Sequence, residues 1–383
     1  MSRVAICMIM FLFAAKKGYT AEIFISIFNE YNLTALVISP GNGNYTVTGD
    51  GLELYAAEEN EILYVSMAGE ELVLRGHTGV LGSFQEISIS QYEKDGWYSF
   101  MPVDPLHERR YYHGSLQLSI EFGRIKALNI IAEDLYIAGV VEAESGLGWH
   151  DMYYRAQSVI CRTYLYGNLI RHADEGFHLC DEVHCQVYKG QLTSDEVIEK
   201  AVKYAEGLVI TGTDSTLITA AFHSNCGGQT VNSEEVWLVR RPYLRSVNDP
   251  FCSGGRSSSW ERKIDTHDWG GYLYEMGLGD SEGTTDPYIF RFNQNFRETH
   301  YSIGGFRIPL SKIRNDWNLR SAFFDVKVPD QGSSILLRGR GHGHGVGLCQ
   351  EGAMEMAAKG YNFIDILQFY YTGIIITDLT DLY

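Results

Sequence analysis

Glu144 is the residue of this sequence whose spacing best suits acid–base chemistry. Asp134 is of a type that caps helix N-termini, and Ile137, Val141 and Glu144 then follow at i, i+4 and i+7 on one helical face. A carboxyl group that continues an apolar stripe is desolvated, which favours its protonated form. Such a group can act as a general acid at neutral pH. The alternative is that Glu144 simply ends the helix with its carboxylate in water.

The helix predicted after Glu144 carries two arginines. Arg155 and Arg162 are seven residues apart and share a helical face. They could bind a hydroxyl or carboxylate group, or hold the loop that follows Glu144. A solvated basic face is the alternative. A different face is predicted to be apolar from residues that recur at three- and four-residue steps, namely Met152, Ala156, Val159, Ile160, Tyr164, Gly167 and Ile170.

A cluster of cysteines and histidines follows this helix. His172, His178, Cys180, His184 and Cys185 supply two thiols and two or three imidazoles within a short segment. Tetrahedral zinc sites use these ligand types, and a metal held by four protein ligands would be structural. The same residues allow a disulfide between Cys180 and Cys185, or two buried thiols.

A second candidate site lies near the C-terminus, where glycine occupies every second position of the segment 339–347. If this segment is extended, Arg340, His342, His344 and Val346 share one face and the other face is bare backbone. Bare backbone allows another chain or a polymer to approach closely. A His-x-His pair on one strand face is also a metal-ligand pattern, so both interpretations stay open.

The composition argues against one class of function, and the N-terminus predicts export. The formal net charge is −17, which argues against nucleic-acid binding, because that binding relies on clustered Lys and Arg. The apolar run Val4–Ala15 predicts a signal peptide over residues 1–20 and is too short to span a membrane. Export would permit disulfides, and Cys226 with Cys252 is the expected pair. The 25 tyrosines suit a packed core and also suit carbohydrate, with the core as the preferred interpretation.

Short alternating runs such as EIFISIF and ILYVSM, broken by Gly and Asn, predict a β-rich region over residues 21–105. The polar, glycine-rich stretch 254–300 is predicted to be a loop-rich insertion.

Four blocks, in order, resemble the SpoIID/LytB family of stage II sporulation protein D type proteins. The resemblance covers residues 110 to 376 and departs from the family pattern after the acid, where Ser145-Gly146 replaces the usual Met-Pro. The blocks are YYHGSLQLSIEFGRIKALNIIAEDLY, YIAGVVEAES followed by RAQSVICRTY, AAFHSNCGGQTVNSEEVWLVRRPYLRSVNDP, and LRGRGHGHGVGLCQEGAMEMAAKGYNFIDILQFYYTGI.

This resemblance implies an α+β fold, with mixed sheets and helices around a catalytic cleft and a catalytic domain over residues 106–383. It implies a peptidoglycan lytic transglycosylase that cleaves between N-acetylmuramic acid and N-acetylglucosamine and leaves 1,6-anhydro ends. Glu144 is the acid of the GVVxxE block and is therefore the implied catalytic residue. Hydrolytic glycosidases commonly use two carboxylates, and no second acid is evident here.

The resemblance also implies roles for the other candidates. Some members bind zinc through a Cys/His cluster, which implies His172, Cys180, His184 and Cys185 as structural zinc ligands. The implied glycan-binding residues are Arg155, Arg162, His342, His344 and Gln350.

The implied partners are peptidoglycan glycan strands and a cell-wall amidase, and the implied location is the periplasm or cell envelope. Two other functions remain open at this point. One is a zinc-dependent wall hydrolase that uses His342 and His344. The other is a non-enzymatic wall-binding module that enhances an amidase.

Overall fold

The computed structural model describes residues 22–91, 96–190, 195–277, 290–303, 305–328 and 333–382. The predicted signal peptide lies outside these described residues. The fold is α+β, as the family resemblance implied. Within the same ranges, no helix is long and apolar enough to cross a membrane.

The chain divides into two compact units. Unit 1 contains the described residues of Met1–Val209 and Thr377–Tyr383, and unit 2 contains those of Ile210–Ile376. Glu144, Arg155, Arg162 and the Cys/His cluster therefore belong to unit 1. His342, His344 and Gln350 belong to unit 2.

Unit 1 is built on two β-sheets. Over the described residues, the first sheet has the strand order β13-β1-β12-β11-β8-β3-β4 and the second has the order β10-β9-β2-β5-β6-β7. The strands are β1 (Glu22–Ile27), β2 (Ala35–Asn42), β3 (Tyr45–Gly49), β4 (Leu52–Ala57), β5 (Leu63–Ala68), β6 (Glu71–Gly76), β7 (Gly79–Phe84), β8 (Glu86–Gln91), β9 (Trp97–Asp104), β10 (Arg110–His113), β11 (Ser115–Glu121), β12 (Arg124–Ala132) and β13 (Leu179–Cys180).

Buried tyrosines fill much of the core of unit 1, as the composition suggested. The rings of Tyr45 on β3 and Tyr98 on β9 meet edge to face with their centroids 6.4 Å apart, so the two sheets share this core. The side chain of Asn129 on β12 bonds both the Tyr98 hydroxyl, at 3.1 Å, and the Tyr188 hydroxyl, at 2.9 Å. These bonds satisfy polar groups that would otherwise be costly to bury.

Among the described residues of unit 1, the helices α1 (Glu133–Ser145), α2 (Asp151–Gly167) and α3 (Glu196–Tyr204) pack against one another. α1 continues directly from β12, an inner strand of the first sheet. Asp134 was predicted to be its N-cap, but the cap position is Ala132 and Asp134 lies in the first turn. A carboxylate there still interacts favourably with the positive end of the helix dipole. The predicted helix after Glu144 is confirmed as α2.

Unit 2 packs around aromatic residues that include Trp269 and Tyr301. Within the part of unit 2 that is described, a three-stranded antiparallel sheet has the order β16-β20-β19. The strands from the unit boundary onward are β14 (Leu208–Thr211), β15 (Phe222–His223), β16 (Ser259–Asp265), β17 (His300–Ile303), β18 (Phe306–Pro309), β19 (Phe324–Lys327), β20 (Ser334–Arg340), β21 (Leu348–Cys349) and β22 (Ile375–Asp378). The helices are α4 (Glu234–Trp237), α5 (Thr266–Glu275), α6 (Leu310–Asp316), α7 (Gln350–Ala358) and α8 (Phe363–Tyr370).

The structure differs from two predictions made from the sequence, the boundary at residue 105 and the loop-rich stretch 254–300. Strands on either side of residue 105 share both sheets, since β9 pairs with β10 and β8 pairs with β11. The predicted boundary at 105 therefore does not coincide with a division within unit 1. The stretch 254–300, predicted to be loop-rich, contains β16 and α5. Among its described residues, Trp260 and Trp269 are buried in the core of unit 2.

Candidate functional site

Glu144 lies in the last turn of α1, on the face predicted from the sequence. Ile137 and Val141 on that face are fully buried, and the Glu144 side chain is half-buried at the end of the stripe. Its carboxylate accepts a hydrogen bond of 2.9 Å from the backbone N–H of Val187. The acid is therefore held against the segment that follows the Cys/His cluster and is not extended into solvent.

Burial is the main influence on the ionisation of Glu144, and it raises the pKa of this carboxyl above its ordinary value. The Val187 N–H and the positive charge of Lys189 act in the opposite direction but are smaller effects. Sequence reasoning missed both groups. A backbone N–H leaves no signal in a sequence, and Lys189 lies 45 positions from the acid that it influences.

The two arginines of α2 have separate structural roles. Arg162 is 1% exposed, and its guanidinium donates to the Glu133 carboxylate and to the Ala205 carbonyl, each at 2.5 Å. A glycan-binding role for Arg162 is therefore a wrong prediction for this structure, because packing of α2 has buried the group. Arg155 is half-buried, pairs with Asp151 at 2.8 Å and lies over the ring of Tyr204. A glycan contact through Arg155 remains a prediction.

The four residues predicted to bind zinc converge in unit 1. Their ligand atoms, from His172, Cys180, His184 and Cys185, all lie within 4.8 Å of one another. Cys185 Sγ is 3.4 Å from His172 Nε2 and 3.7 Å from His184 Nδ1, and Cys180 Sγ is 3.8 Å from His184 Nδ1. Tetrahedral zinc with ordinary bond lengths separates sulfur and nitrogen ligands by about 3.6 Å. This Cys/His cluster therefore has a geometry that fits a metal ion.

The surroundings of the Cys/His cluster indicate which of its residues are available as metal ligands. Cys180 is held in β13, opposite Ser26 of β1. His178 accepts a hydrogen bond of 3.0 Å from the Phe24 N–H, so its Nδ1 is already used in a contact with β1. Cys180 and Cys185 are free thiols, so the alternative disulfide is not formed. Cys185 is only two residues before Val187, which places the cluster next to the segment that holds Glu144.

The glycine-rich segment 339–347 is not an extended strand beyond Arg340, and this corrects the prediction. Gly341, Gly343, Gly345 and Gly347 all have positive φ, between 72° and 110°. L-residues rarely adopt this conformation, so the repeat serves a series of left-handed turns. At Gly347 an added Cβ would also lie 2.1 Å from the Ala221 carbonyl oxygen.

The residues between these glycines consequently do not share one face. His342 is exposed, whereas Val346 is fully buried. His344 is half-buried, accepts a hydrogen bond of 3.0 Å from the Val346 N–H and contacts the ring of Trp237. Burial lowers the pKa of His344 to about 4, so its imidazole is neutral at neutral pH. Gln350 begins α7 and is buried, which limits it as a glycan contact.

A second convergence of donors in unit 2 was missed from the sequence. Cys226, Asp249, Cys252 and Cys349 are all buried, and their ligand atoms lie within 4.8 Å of one another. We call this group the Cys3Asp cluster. The predicted disulfide between Cys226 and Cys252 is wrong for this structure, since both are free thiols with sulfurs 3.4 Å apart.

Comparison with known proteins supports the resemblance to the SpoIID/LytB family. A family model described as "Stage II sporulation protein" matches residues 121–211, which include Glu144 and the Cys/His cluster. Stage II sporulation protein D of Bacillus subtilis is 29% identical over 265 residues, covering 65% of this chain and 75% of that protein. By these matches, the chain resembles the SpoIID/LytB family. Its role is accordingly related to the cell wall.

Two further relatives extend this comparison. An uncharacterized protein of Brachyspira hyodysenteriae is 29% identical over 276 residues, covering 70% of this chain and 72% of the relative. The "Amidase enhancer" of Bacillus subtilis is 26% identical over 293 residues, covering 63% of this chain and 40% of that protein.

The turn after the acid is where this chain departs from the SpoIID/LytB pattern. Gly146 ends α1 with φ of 69°, a value that the proline usual in the family cannot adopt. The Ser145 hydroxyl lies 2.9 Å from the Tyr153 hydroxyl, and the Tyr154 hydroxyl donates to the Gly146 carbonyl at 2.9 Å. The Trp149 indole N–H donates to the Ser145 carbonyl at 2.9 Å. Aromatic residues of α2 and its preceding loop thus fix this turn.

Proposed function

We propose that this protein is a peptidoglycan lytic transglycosylase, with Glu144 as its general acid and base. The observation that carries the proposal is the half-buried Glu144 carboxyl, whose pKa is raised by burial and whose position is fixed by the Val187 N–H. We also propose that the protein acts in the cell envelope after export, with residues 1–20 as its signal peptide.

In the proposed reaction, protonated Glu144 donates its proton to the oxygen that links N-acetylmuramic acid to N-acetylglucosamine. The bond between this oxygen and C1 of the muramoyl residue breaks. The C6 hydroxyl oxygen of the same residue then bonds to C1, and its proton passes to the Glu144 carboxylate. The products are a 1,6-anhydro end and a free 4-hydroxyl, and no water is consumed. One carboxyl group suffices because the nucleophile is tethered to the substrate.

Trp149 supports a glycan as the substrate. Its side chain is 40% exposed and is tied to the end of α1 close to Glu144. An exposed indole beside an acid offers a flat apolar surface for the C–H face of a sugar ring. Arg155, His342 and His344 remain proposed glycan contacts.

For the Cys/His cluster we propose zinc, bound by His172, Cys180, His184 and Cys185. Two thiolates and two imidazoles suit zinc, and four protein ligands leave no position for a substrate, so the metal would be structural. The chemistry it would supply is a cross-link between the sheet edge at Cys180 and the segment carrying Val187. This cross-link would fix the N–H group that holds Glu144.

Two other functions are distinguished by specific observations. A relative named amidase enhancer supports a second candidate, in which the protein binds the wall and assists an amidase without cleaving glycan. A zinc hydrolase based on His342 and His344 has less support. Among the described residues, the potential metal-binding groups do not include either histidine.

Mass spectrometry of glycan strands from purified sacculi tests the proposal. The wild-type protein is expected to release muropeptides with 1,6-anhydro ends, and Glu144→Gln is expected to release none. Glutamine keeps an oxygen that can accept from the Val187 N–H but cannot donate an acidic proton. Glu142→Gln is the matched control, because it neutralises another carboxyl group of α1.

The possible outcomes separate the candidates. Hydrolytic products with reducing ends, or anhydro ends that persist in Glu144→Gln, would refute the assignment. Binding to sacculi without any product, together with stimulation of an added wall amidase, would select the amidase-enhancing function. Thermal unfolding of each variant verifies that a loss of product is not a loss of fold.

A further inference from the structure

We propose that the Cys3Asp cluster of unit 2 is a second zinc site, structural and separate from the Cys/His cluster. Its ligands would be the thiolates of Cys226, Cys252 and Cys349 and the carboxylate of Asp249. This inference is independent of the proposed glycan cleavage, because it concerns a different part of the chain and a different measurement.

The spacing of the donor atoms in the cluster is compatible with a tetrahedral site. The sulfurs of Cys226 and Cys252 are 3.4 Å apart, and Cys226 Sγ is 3.2 Å from Asp249 Oδ2. All four ligand atoms lie within 4.8 Å of one another. The edges of a tetrahedral zinc site are about 3.8 Å between two sulfurs and about 3.6 Å between sulfur and oxygen. Small movements of the side chains would therefore enclose the ion.

Burial makes a cation at this position physically reasonable. Cys226 and Cys349 are 0% exposed, Cys252 is 1% exposed and Asp249 is 2% exposed. An ionised carboxylate is costly to bury without a compensating cation. The Asp249 carboxylate accepts hydrogen bonds from neutral donors, including the Phe251 N–H at 2.8 Å and the Tyr370 hydroxyl at 3.0 Å. A divalent cation would compensate this charge and those of the thiolates.

The backbone around the cluster is arranged to stabilise ionised sulfur. The Cys226 N–H donates to Cys349 Sγ and the Gly228 N–H donates to Cys252 Sγ, each at 3.2 Å. Gly227 and Gly228 both have positive φ, which lets the chain turn directly after Cys226. Donors to the ligand sulfurs and to the ligand carboxylate form the outer layer that orients metal ligands.

The number of cysteines favours a metal over a disulfide. A bond between Cys226 and Cys252 would leave Cys349 and Asp249 buried together, with a thiol and a carboxylate unused. A zinc ion uses all four groups. With four protein ligands, the zinc ion would have no open coordination position, so its expected role is structural.

The site would fix the part of unit 2 that carries the glycine–histidine segment. Cys226 follows β15, which pairs with β21, and Cys349 ends β21 immediately before α7. Asn225, next to Cys226, forms a backbone bridge with His342. A metal at the Cys3Asp cluster would therefore hold the backbone on both sides of the proposed glycan contact His342.

Metal analysis of the full chain tests this inference. After gel filtration, inductively coupled plasma mass spectrometry is expected to find about two equivalents of zinc per chain, one for each cluster. Cys252→Ser is expected to reduce this to about one equivalent. Cys161→Ser is the matched control, because Cys161 is a buried cysteine outside both clusters, and it should retain the wild-type content.

Cys185→Ser isolates the second site, because it disrupts the Cys/His cluster and keeps all four Cys3Asp ligands. This variant is expected to retain about one equivalent, and its cobalt form should show charge-transfer absorption from three thiolates. Its result stands even if Cys252→Ser fails to fold. A wild-type content of one equivalent or less, a cobalt spectrum without thiolate ligands in Cys185→Ser, or a Cys226–Cys252 disulfide in non-reducing peptide mapping would overturn the inference.

Discussion

Replacement of Arg162 by methionine is predicted to destabilise unit 1 rather than to remove a contact with substrate. The Arg162 guanidinium is buried and donates to the Glu133 carboxylate and the Ala205 carbonyl. Methionine keeps much of the side-chain volume but offers neither donor. The variant therefore removes the positively charged donor of the Glu133 carboxylate and one of two donors to the Ala205 carbonyl, in the space where α2 packs.

The size of the effect follows from this environment. Removing one partner of a buried ion pair costs about 3–5 kcal/mol of the free energy of unfolding. The Glu133 side chain is 16% exposed and keeps a hydrogen bond of 2.7 Å from the Tyr166 hydroxyl. The loss is therefore expected at the low end of this energy range. A loss of about 3 kcal/mol in a unit of about 200 residues lowers the unfolding temperature by about 6–12 °C.

Circular dichroism melting and product release from sacculi, measured well below the transition, check this prediction together. Arg155→Met is the comparison, since Arg155 is only half-buried, and its ion pair with Asp151 and its contact with the Tyr204 ring should each contribute about 1 kcal/mol or less. Adding Glu133→Gln to Arg162→Met should restore part of the stability, because a neutral amide is less costly to leave unpaired. If Arg162→Met melts like the wild type but has lost activity, the structural role assigned to Arg162 is wrong.

Three further predictions follow from the site. Gly347→Ala should lower the free energy of unfolding more than Gly360→Ala, because both glycines have positive φ but only at Gly347 does the new Cβ meet a backbone atom, the Ala221 oxygen; equal losses in chemical denaturation would contradict this. Lys189→Met should move the basic limb of the pH–activity profile to higher pH, because the lysine charge lowers the pKa of Glu144 and its removal keeps the acid protonated longer. A shift to lower pH would refute that sign. Chelation of metal from the Cys/His cluster should lower both the unfolding temperature and glycan cleavage, and zinc should restore both; a metal-free protein that keeps both properties would exclude the proposed cross-link.

Local patterns were sufficient for part of the candidate site. The three- and four-residue spacing around Glu144 predicted its helix and its apolar surroundings, because side chains at those intervals share a helical face whatever the rest of the chain does. The Cys/His cluster was also evident, since its four donors lie within one short segment. In the structure His172 lies with the other three donors and His178 is bonded to β1, so His172 stays the predicted fourth ligand.

Spacing misled where several conformations satisfy the same pattern. Alternating glycine in 339–347 fits an extended strand, but the structure uses these glycines for left-handed turns. The helix periodicity predicted that Arg162 shares a face with Arg155. It could not show that the start of α1, at Glu133, and the end of α3, at Ala205, would bury Arg162. Arg162 is consequently buried while Arg155 remains partly exposed.

By itself, the sequence determined the helix that carries Glu144 and the local set of zinc-type ligands, because each depends on residues close together in the chain. The α+β class was implied by the resemblance of four sequence blocks to the SpoIID/LytB family. Only the tertiary structure decided that the Val187 N–H meets Glu144, that Arg162 is buried and that Cys226 and Cys349 approach the same point. Convergence of distant segments depends on how whole sheets and helices pack. No spacing rule along the chain encodes that packing.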